Sequence, residues 1–477
     1  MFVGIHALVW TVLPSVLYFN LPLDLVEALT YGREWQLGYD KLPPLPWWMV
    51  EAVYRTVGHD FAYYLLAQIA VLAAFGLVYA TGRPLAGALG ALVAVLIVDG
   101  LHYFNFTAAK FNHDVIQLPF WALAGFAFHR ALRRGHIGHW LLLGLAIGIS
   151  LWAKYFVVVL VAPMIAFMVV DANARRHWLT PGPYVAVALG LLVMAPHLYW
   201  LVQADFLPFA YAEHRAAESR GLIDHLWHPL QFALGQLAFV LPALAIAAAY
   251  VYEPGKKRGA KIDGNAFDRR IIALLAFGPF VTVIGLALVT GRGAIAMWGY
   301  PLWLFLGLYI VIWARRILTD IRLTRVAVTW GIVFALFAVV FAASYAVMPR
   351  FDHRYRAVFY PGDRLAEQIT DGFRVATGQR LAYVIAGMFE GGNIAHYSSD
   401  HPRVLIDGKL ERTPWISLTD VKKRGAVIAW EAGDLRTIPP QFSAYAANAV
   451  VQPPIRLPYR YGDGFLSAGW AIVKPAP

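Results

Sequence analysis

Cysteine is missing from all 477 residues, which excludes disulfide staples, thiolate nucleophiles and cysteine-ligated zinc in one step. Charge is scarce as well: Asp, Glu, Lys and Arg make up 14% of the chain, against about 25% in an ordinary soluble domain. What is there instead is apolar surface, 59% of the residues with a mean hydropathy of +0.56. Most of such a chain must be solvated by lipid, so its length is no guide to its domain count. These features describe a polytopic α-helical membrane protein. The net charge of +11 does not point to nucleic acid, because the basic residues lie in short loops between apolar runs and no basic soluble module is present.

Apolar runs long enough to cross a hydrocarbon core of ~30 Å fall near 3–20, 60–81, 84–103, 114–132, 138–153, 155–172, 182–203, 228–252, 271–290, 295–314 and 325–348, so about eleven transmembrane helices are expected. The first run has no basic leader and no small-residue cleavage site, and reads as a retained signal anchor. The fifth and sixth, separated only by Lys154, form either two spans with a tight turn or one long broken helix. With the N-terminus in the cytoplasm, the inner loops and their flanks carry sixteen Lys and Arg: 83, 130, 133, 134, 175, 176, 256, 257, 258, 261, 269, 270, 315, 316, 322 and 325. The outer loops carry eight: Arg33, Lys41, Arg55, Lys110, Lys154, Arg215, Arg220 and Arg292. Positive residues stay inside, which puts the C-terminal tail outside the cytoplasm, in the periplasm of a Gram-negative cell.

Two domains follow, a membrane domain over 1–350 and a small extracytoplasmic α/β domain over 351–477. Within the tail, β-like runs at 381–387, 403–408 and 425–431 alternate with helix-like stretches at 363–376 and 391–397. The tail carries no phosphate loop and no metal-ligand cluster; a cap over the membrane domain is its plain role. No solenoid repeat is visible, nor a pair of interrupted helices of the transporter kind.

Polar residues concentrate on the outer side. The first extracytoplasmic loop, 21–59, interleaves Asp24, Glu27, Arg33, Glu34, Asp40, Lys41, Glu51 and Arg55 with Tyr31, Trp35, Tyr39, Trp47 and Trp48. That pattern suits amphipathic helices lying in the interface, with the ordinary alternative that the charges merely face water. Lys110, Asn112, His113 and Asp114 open the fourth run, where Asn112 or Asp114 could simply cap a helix. Asp24 also opens an extracytoplasmic segment, so both carboxylates are expected at one membrane level. Lys154 is the third such residue, snorkelling being the plain explanation. Asp205, Tyr211, Glu213, His214, Arg215, Arg220 and His225 of the 204–227 loop lie on the same side. Two carboxylates and several cations at one interface suit transfer from a lipid-linked phosphosugar. A base would deprotonate the acceptor hydroxyl, and cations would stabilise the departing phosphate.

PLDLVEALTYGREWQLGYDKLPPLPWW at 22–48 resembles the first extracytoplasmic loop of GT-C glycosyltransferases related to protein mannosyltransferases and to the aminoarabinose and galacturonic-acid transferases of lipid A and lipopolysaccharide. The resemblance makes Asp24 the catalytic base and matches Arg33-Glu34-Trp35 to the element that follows it. Lys41 becomes the cation for the donor phosphate, although Leu42 separates it from Pro43-Pro44. NHDVIQLPFWALAGF at 112–126 is similar to the family's second motif, with Asp114 as an orienting or acceptor-contacting carboxylate beside His113. LLGLAIGISLWAKYFVVVL at 142–160 resembles the Gly-rich span ending in Lys154-Tyr155, and GRGAIAMWGYPLW at 291–303 the late loop, without its polar residue before Trp. The resemblance implies an inverting transferase that moves a monosaccharide from a polyprenyl-phosphate donor to an extracytoplasmic acceptor, lipid A or lipopolysaccharide first. Asp24 and Asp114 are its catalytic candidates; Arg33, Lys41, Lys154, Tyr155 and His113 are its substrate-binding candidates. No cofactor is implied, and without a multi-carboxylate cluster the reading leans against a metal. The alternatives are a protein O-mannosyltransferase-like enzyme, a lipid-linked-sugar transporter and a non-catalytic scaffold. A transporter should carry polarity along several span interiors, where this chain has almost none.

Overall fold

The computed structural model describes residues 2–215, 217–253, 265–352, 356–461 and 463–476. Lys256, Lys257, Arg258 and Lys261 of the positive-inside count, and the side chain of His214, lie outside the described residues. In chain order the helices begin α1 (Phe2–Leu17), α2 (Leu23–Gly32), α3 (Leu45–Thr56), α4 (Phe61–Asp99), α5 (His113–Arg134), α6 (Ile137–Ala153), α7 (Val158–Val170) and α8 (Ala172–Arg175). They continue α9 (Gly182–Gln203), α10 (Leu207–Arg215), α11 (Asp224–Val251), α12 (Ala266–Thr290), α13 (Leu306–Ala314) and α14 (Asp320–Ala342).

Each of the eleven apolar runs carries helix. Among the described residues, six helices are individually long and apolar enough to cross a membrane, or seven if the pair Tyr155–Val170 and Ala172–Leu179, bent by 92°, is one span. The shortfall from eleven has local causes. Helices α1 and α6 have 16 and 17 residues. Helix α4 joins two of the expected runs across Gly87, whose φ of 71° and ψ of 173° suit only glycine. The run 295–314 is helical only at Ala296–Gly299 and Leu306–Ala314. Its irregular backbone is held by Tyr103 Oη and Gln236 Nε2, which donate to the Ala296 carbonyl at 2.6 and 2.8 Å. Buried side chains thus satisfy polar groups that lipid could not. Between α6 and α7, Lys154 is extended at φ −164°, so the fifth and sixth runs are two separate helices.

The chain folds as two compact units. The first comprises Met1–Thr11, Lys41–Leu45 and Tyr64–Val340; the second comprises Val12–Asp40, Pro46–Tyr63 and Phe341–Pro477. In the first unit α6 packs between α5 and α9, and α12 against α7 and α11. A Cβ at Gly144 would stand 2.2 Å from the Ala186 carbonyl oxygen, the close approach that small residues permit between helices in lipid.

The second unit holds most of the first loop together with the tail. Its tail elements are α15 (Gly362–Thr377), β1 (Tyr383–Ala386), α16 (Met388–Tyr397), β2 (Arg403–Ile406), α17 (Leu418–Arg424), β3 (Ala426–Trp430), β4 (Ala449–Val451), β5 (Ile455–Pro458) and β6 (Phe465–Val473). The sheet runs β2-β1-β3-β6-β4, with β5 also on β6. Strand β1 pairs parallel with β2 and β3, while β6 pairs antiparallel with β3, β4 and β5. Both faces are covered. Leu365, Ile369 and Phe373 of α15 pack with Val384 and Val427 on one, and Ile416, Val421 and Phe442 with Ile385 and Ile428 on the other. The three expected strands and both helices are present, and the antiparallel half is additional.

Candidate functional site

Five of the seven candidate residues belong to the first unit. Asn112 caps α5: its Oδ1 accepts from the backbone N–H of Asp114 and Val115 at 3.0 and 3.1 Å. Capping is therefore done by the amide, and the Asp114 carboxylate serves elsewhere. Its Oδ1 accepts from Lys154 Nζ at 2.6 Å and from Gln117 Nε2 at 3.1 Å. The two side chains of the ion pair are 13% and 17% exposed. Lys154 occupies the extended break between α6 and α7, so its ammonium is delivered to a carboxylate and does not snorkel. Half-buried charge pairs of this kind persist only when each partner neutralises the other.

His113 Nε2 donates to the Pro43 carbonyl at 3.1 Å, tying the short segment that carries Lys41 to the start of α5. Lys41 Nζ stands 5.6 Å from the ring centroid of Tyr211 on α10, a cation–π contact. Tyr155 hydrogen-bonds His197 Nε2 at 2.6 Å and stacks on Phe209 of α10, with centroids 5.3 Å apart and planes at 13°. Helix α10 is further held by Arg292 Nη2, which donates to Glu213 Oε1 at 2.7 Å. Tyr155 and Phe209 also border an almost wholly apolar groove of about 430 Å³, lined by Trp140, Leu143, Met164, Met168, Leu191, Met194 and Leu201. Lys154 immediately precedes Tyr155 in the chain, and its ammonium is held by Asp114. Among the described residues no three His, Asp or Glu side chains form a group that could hold a metal ion.

The other two candidates, Asp24 and Arg33, belong to the second unit. Asp24 is half-buried in the first turn of α2, where the helix N-terminus favours a carboxylate. Arg33 Nη1 donates to the Pro402 carbonyl at 2.8 Å. Around them the loop is far from a simple interfacial anchor. Glu34 takes a two-point contact from Arg403, Asp40 pairs with Arg412 at 2.6 Å, and Tyr31 donates to Asp40 at 2.5 Å. Tyr31 stacks on Trp47 with centroids 4.4 Å apart, and Tyr39 and Trp415 join them. Tyr31, Tyr39 and Trp47 are buried; Trp35 remains 45% exposed. Of the loop charges, Glu34 and Asp40 thus meet arginines of the tail, while Glu51 pairs with Arg55 inside the loop.

Sequence reasoning named Tyr211 only as one polar residue of the 204–227 loop, and missed Gln117, His197, Arg403 and Arg412. Gln117 alone had a signal, lying three residues after Asp114 on one helix face; the others come from distant segments.

Residues 41–200 match the family described as dolichyl-phosphate-mannose-protein mannosyltransferase. Over 97% of its length the chain is 26% identical to the lipopolysaccharide core galacturonosyltransferase RgtA of Rhizobium johnstonii, covering 95% of that protein. It is 26% identical to the lipid A galacturonosyltransferase RgtD of the same organism, over 61% of this chain and 60% of RgtD. Its fold matches the crystal structure of ArnT from Cupriavidus metallidurans bound to undecaprenyl phosphate, with a TM-score of 0.65 at 14% identity, covering 100% of this chain and 98% of that one.

Proposed function

We propose, because the chain belongs to the GT-C glycosyltransferases and is a multi-pass inner-membrane protein, that it transfers a monosaccharide from a polyprenyl-phosphate donor to lipid A or the lipopolysaccharide core. One observation carries the reading on the structural side: Lys154, ion-paired to Asp114 at 2.6 Å, adjoins Tyr155 at the rim of an apolar groove of about 430 Å³. A lipid tail suits the groove, and its phosphate suits the ammonium. The relatives' names make galacturonic acid the sugar to test first.

The acceptor hydroxyl oxygen attacks the anomeric carbon, and the carbon–oxygen bond to phosphate breaks with its electron pair leaving on the phosphate. Attack from the opposite side inverts the anomeric centre. Asp24 takes the hydroxyl proton, a role the family resemblance supplies. Lys41 and Lys154 offset the charge on the departing polyprenyl phosphate. Asp114 fixes the Lys154 ammonium, while His113 and Tyr155 hold the surrounding segments through Pro43 and His197. Sidedness follows the charge count: the N-terminus is cytoplasmic, and the domain 351–477 is periplasmic, with the membrane domain spanning 1–350.

Deleting the gene in its host and comparing lipid A and core sugars with envelope proteins by mass spectrometry tests the assignment. Loss of one sugar from the lipid fraction is expected. Unchanged lipids with a hexose lost from secreted proteins would move the function to protein O-glycosylation, the chemistry of the family matched by residues 41–200.

A further inference from the structure

A second cavity lies wholly inside the second unit, between α2, α3 and α16. It holds about 240 Å³ and is lined by Thr30, Arg33, Glu51, Tyr54, Arg55 and His396, among others. Its frame is rigid. A Cβ at Gly392 would stand 2.6 Å from both Thr30 Oγ1 and Val26 Cγ1, so α16 rests directly on α2.

The lining is polar in a particular way. Arg55 Nε donates to Glu51 Oε1 at 2.7 Å; the Glu51 side chain is 4% exposed and that of Arg55 58%. This bond, with the guanidinium 5.7 Å from the Trp35 ring centroid, orients the arginine. Its Nη1/Nη2 edge then presents a flat fork of N–H donors, hydrogen-bonded to none of the described residues. Arg33 brings a second guanidinium, steadied by the Pro402 carbonyl at 2.8 Å. Glu51 is the one carboxylate lining the cavity against two guanidiniums, and Glu34, 3.9 Å from Arg33, is itself taken by Arg403, so the lining is net cationic. Tyr54, with its hydroxyl 3.4 Å from His401 Nε2, and His396 add neutral hydrogen-bonding groups. Burial lowers the His396 pKa to about 4, so at neutral pH its ring both donates and accepts.

We propose that this cavity binds a single monosaccharide unit bearing a carboxylate or a phosphate. The Arg55 fork matches either anion in two-point geometry, and the tyrosine and imidazole suit ring hydroxyls. Its volume lies below the ~300–1,000 Å³ that drug-sized ligands fill, which suits one sugar ring, free or at the end of a longer glycan. The transfer reading enters only through the source of the ligand, which would be a uronic-acid donor or a phosphorylated acceptor glycan.

The purified full-length protein in detergent is titrated with galacturonate, glucose 6-phosphate and uncharged galactose, binding being read by saturation-transfer NMR and tryptophan fluorescence. At least one charged sugar binds, and galactose binds at least about tenfold more weakly, equivalent to about 1.4 kcal/mol. Preference for galacturonate identifies a uronic source, and preference for the phosphate a phosphorylated glycan. Arg55→Gln weakens binding by about tenfold or more, and Arg55→Lys, which keeps the charge without the fork, falls between. Galactose binding as well as the charged sugars would overturn the inference. So would undiminished binding in both Arg55→Gln and Arg33→Gln, or no sugar binding in a preparation that still transfers sugar, an outcome that leaves the transfer reading intact.

Discussion

At the scale of single residues, the charged groups isolated among apolar runs were the legible ones. Asp114 and Lys154 stood out because an ionised side chain beside lipid needs a reason, and the structure pairs them at 2.6 Å. His6 and Asp99 escaped notice although each lies inside an apolar run. They meet at 2.8 Å, both fully buried, and Trp330 Nε1 donates to Asp99 at 2.6 Å. Sequence spacing cannot bring α1, α4 and α14 together, so that polar knot became visible only in three dimensions. Asp24→Asn is expected to cut transfer by 10²–10⁴-fold, the usual cost of losing a general base, with donor binding retained. Lys41→Ala should instead raise the donor KM. Steady-state kinetics with a polyprenyl-phosphate sugar separate the two, and a wild-type rate in Asp24→Asn would remove the base assignment. In the tail, burial and then the neighbouring Glu390 raise the Glu431 pKa from 4.5 to about 7, although the Tyr360 hydroxyl donates to it. The folded state therefore binds more protons than the unfolded state between those values, and stability falls as pH rises from about 4.5 through about 7. Glu431→Gln should flatten that dependence in melting curves taken from pH 5 to 8; parallel wild-type and variant curves would contradict it.

At the scale of elements, hydropathy located the helices and local geometry decided their lengths. The expected run 295–314 contains Gly299 and Pro301, and its first part turns instead of spanning because Tyr103 and Gln236 supply hydrogen bonds to the backbone. In the tail, β1, β2 and β3 were readable as short apolar runs, each bounded by turn residues or charges. Strands β4 and β5, with their exposed positions, were not, and neither was β6, whose apolar run is interrupted by Ser467 and Gly469. Gly87 tests the kink in α4 without a packing complication, since a Cβ there meets no atom within 4 Å. Gly87→Ala forces a side chain into a glycine-only conformation and should destabilise the protein by about 1–3 kcal/mol. A thermal melt unchanged from wild type would show that α4 does not need the bend.

At the scale of the whole molecule, sequence order suggested a membrane domain followed by a tail, whereas most of the first loop, all but Lys41–Leu45, shares its compact unit with that tail. The partners Glu34–Arg403 and Asp40–Arg412 stand about 370 positions apart in sequence, a separation no periodicity argument reaches. A reporter active only in the periplasm, fused after Pro477, should be active; cytoplasmic-type signal from a stable fusion would reverse the sidedness. The most direct measurement reconstitutes the purified protein with a polyprenyl-phosphate galacturonic acid labelled in the sugar and a lipid A or core acceptor. Transfer predicts that label moves into the acceptor while one polyprenyl phosphate is released per sugar transferred, and that Asp24→Asn slows both by about 10²–10⁴-fold. Label that stays on the donor, or merely crosses the bilayer with its lipid still attached, would contradict a transferase and identify a transporter.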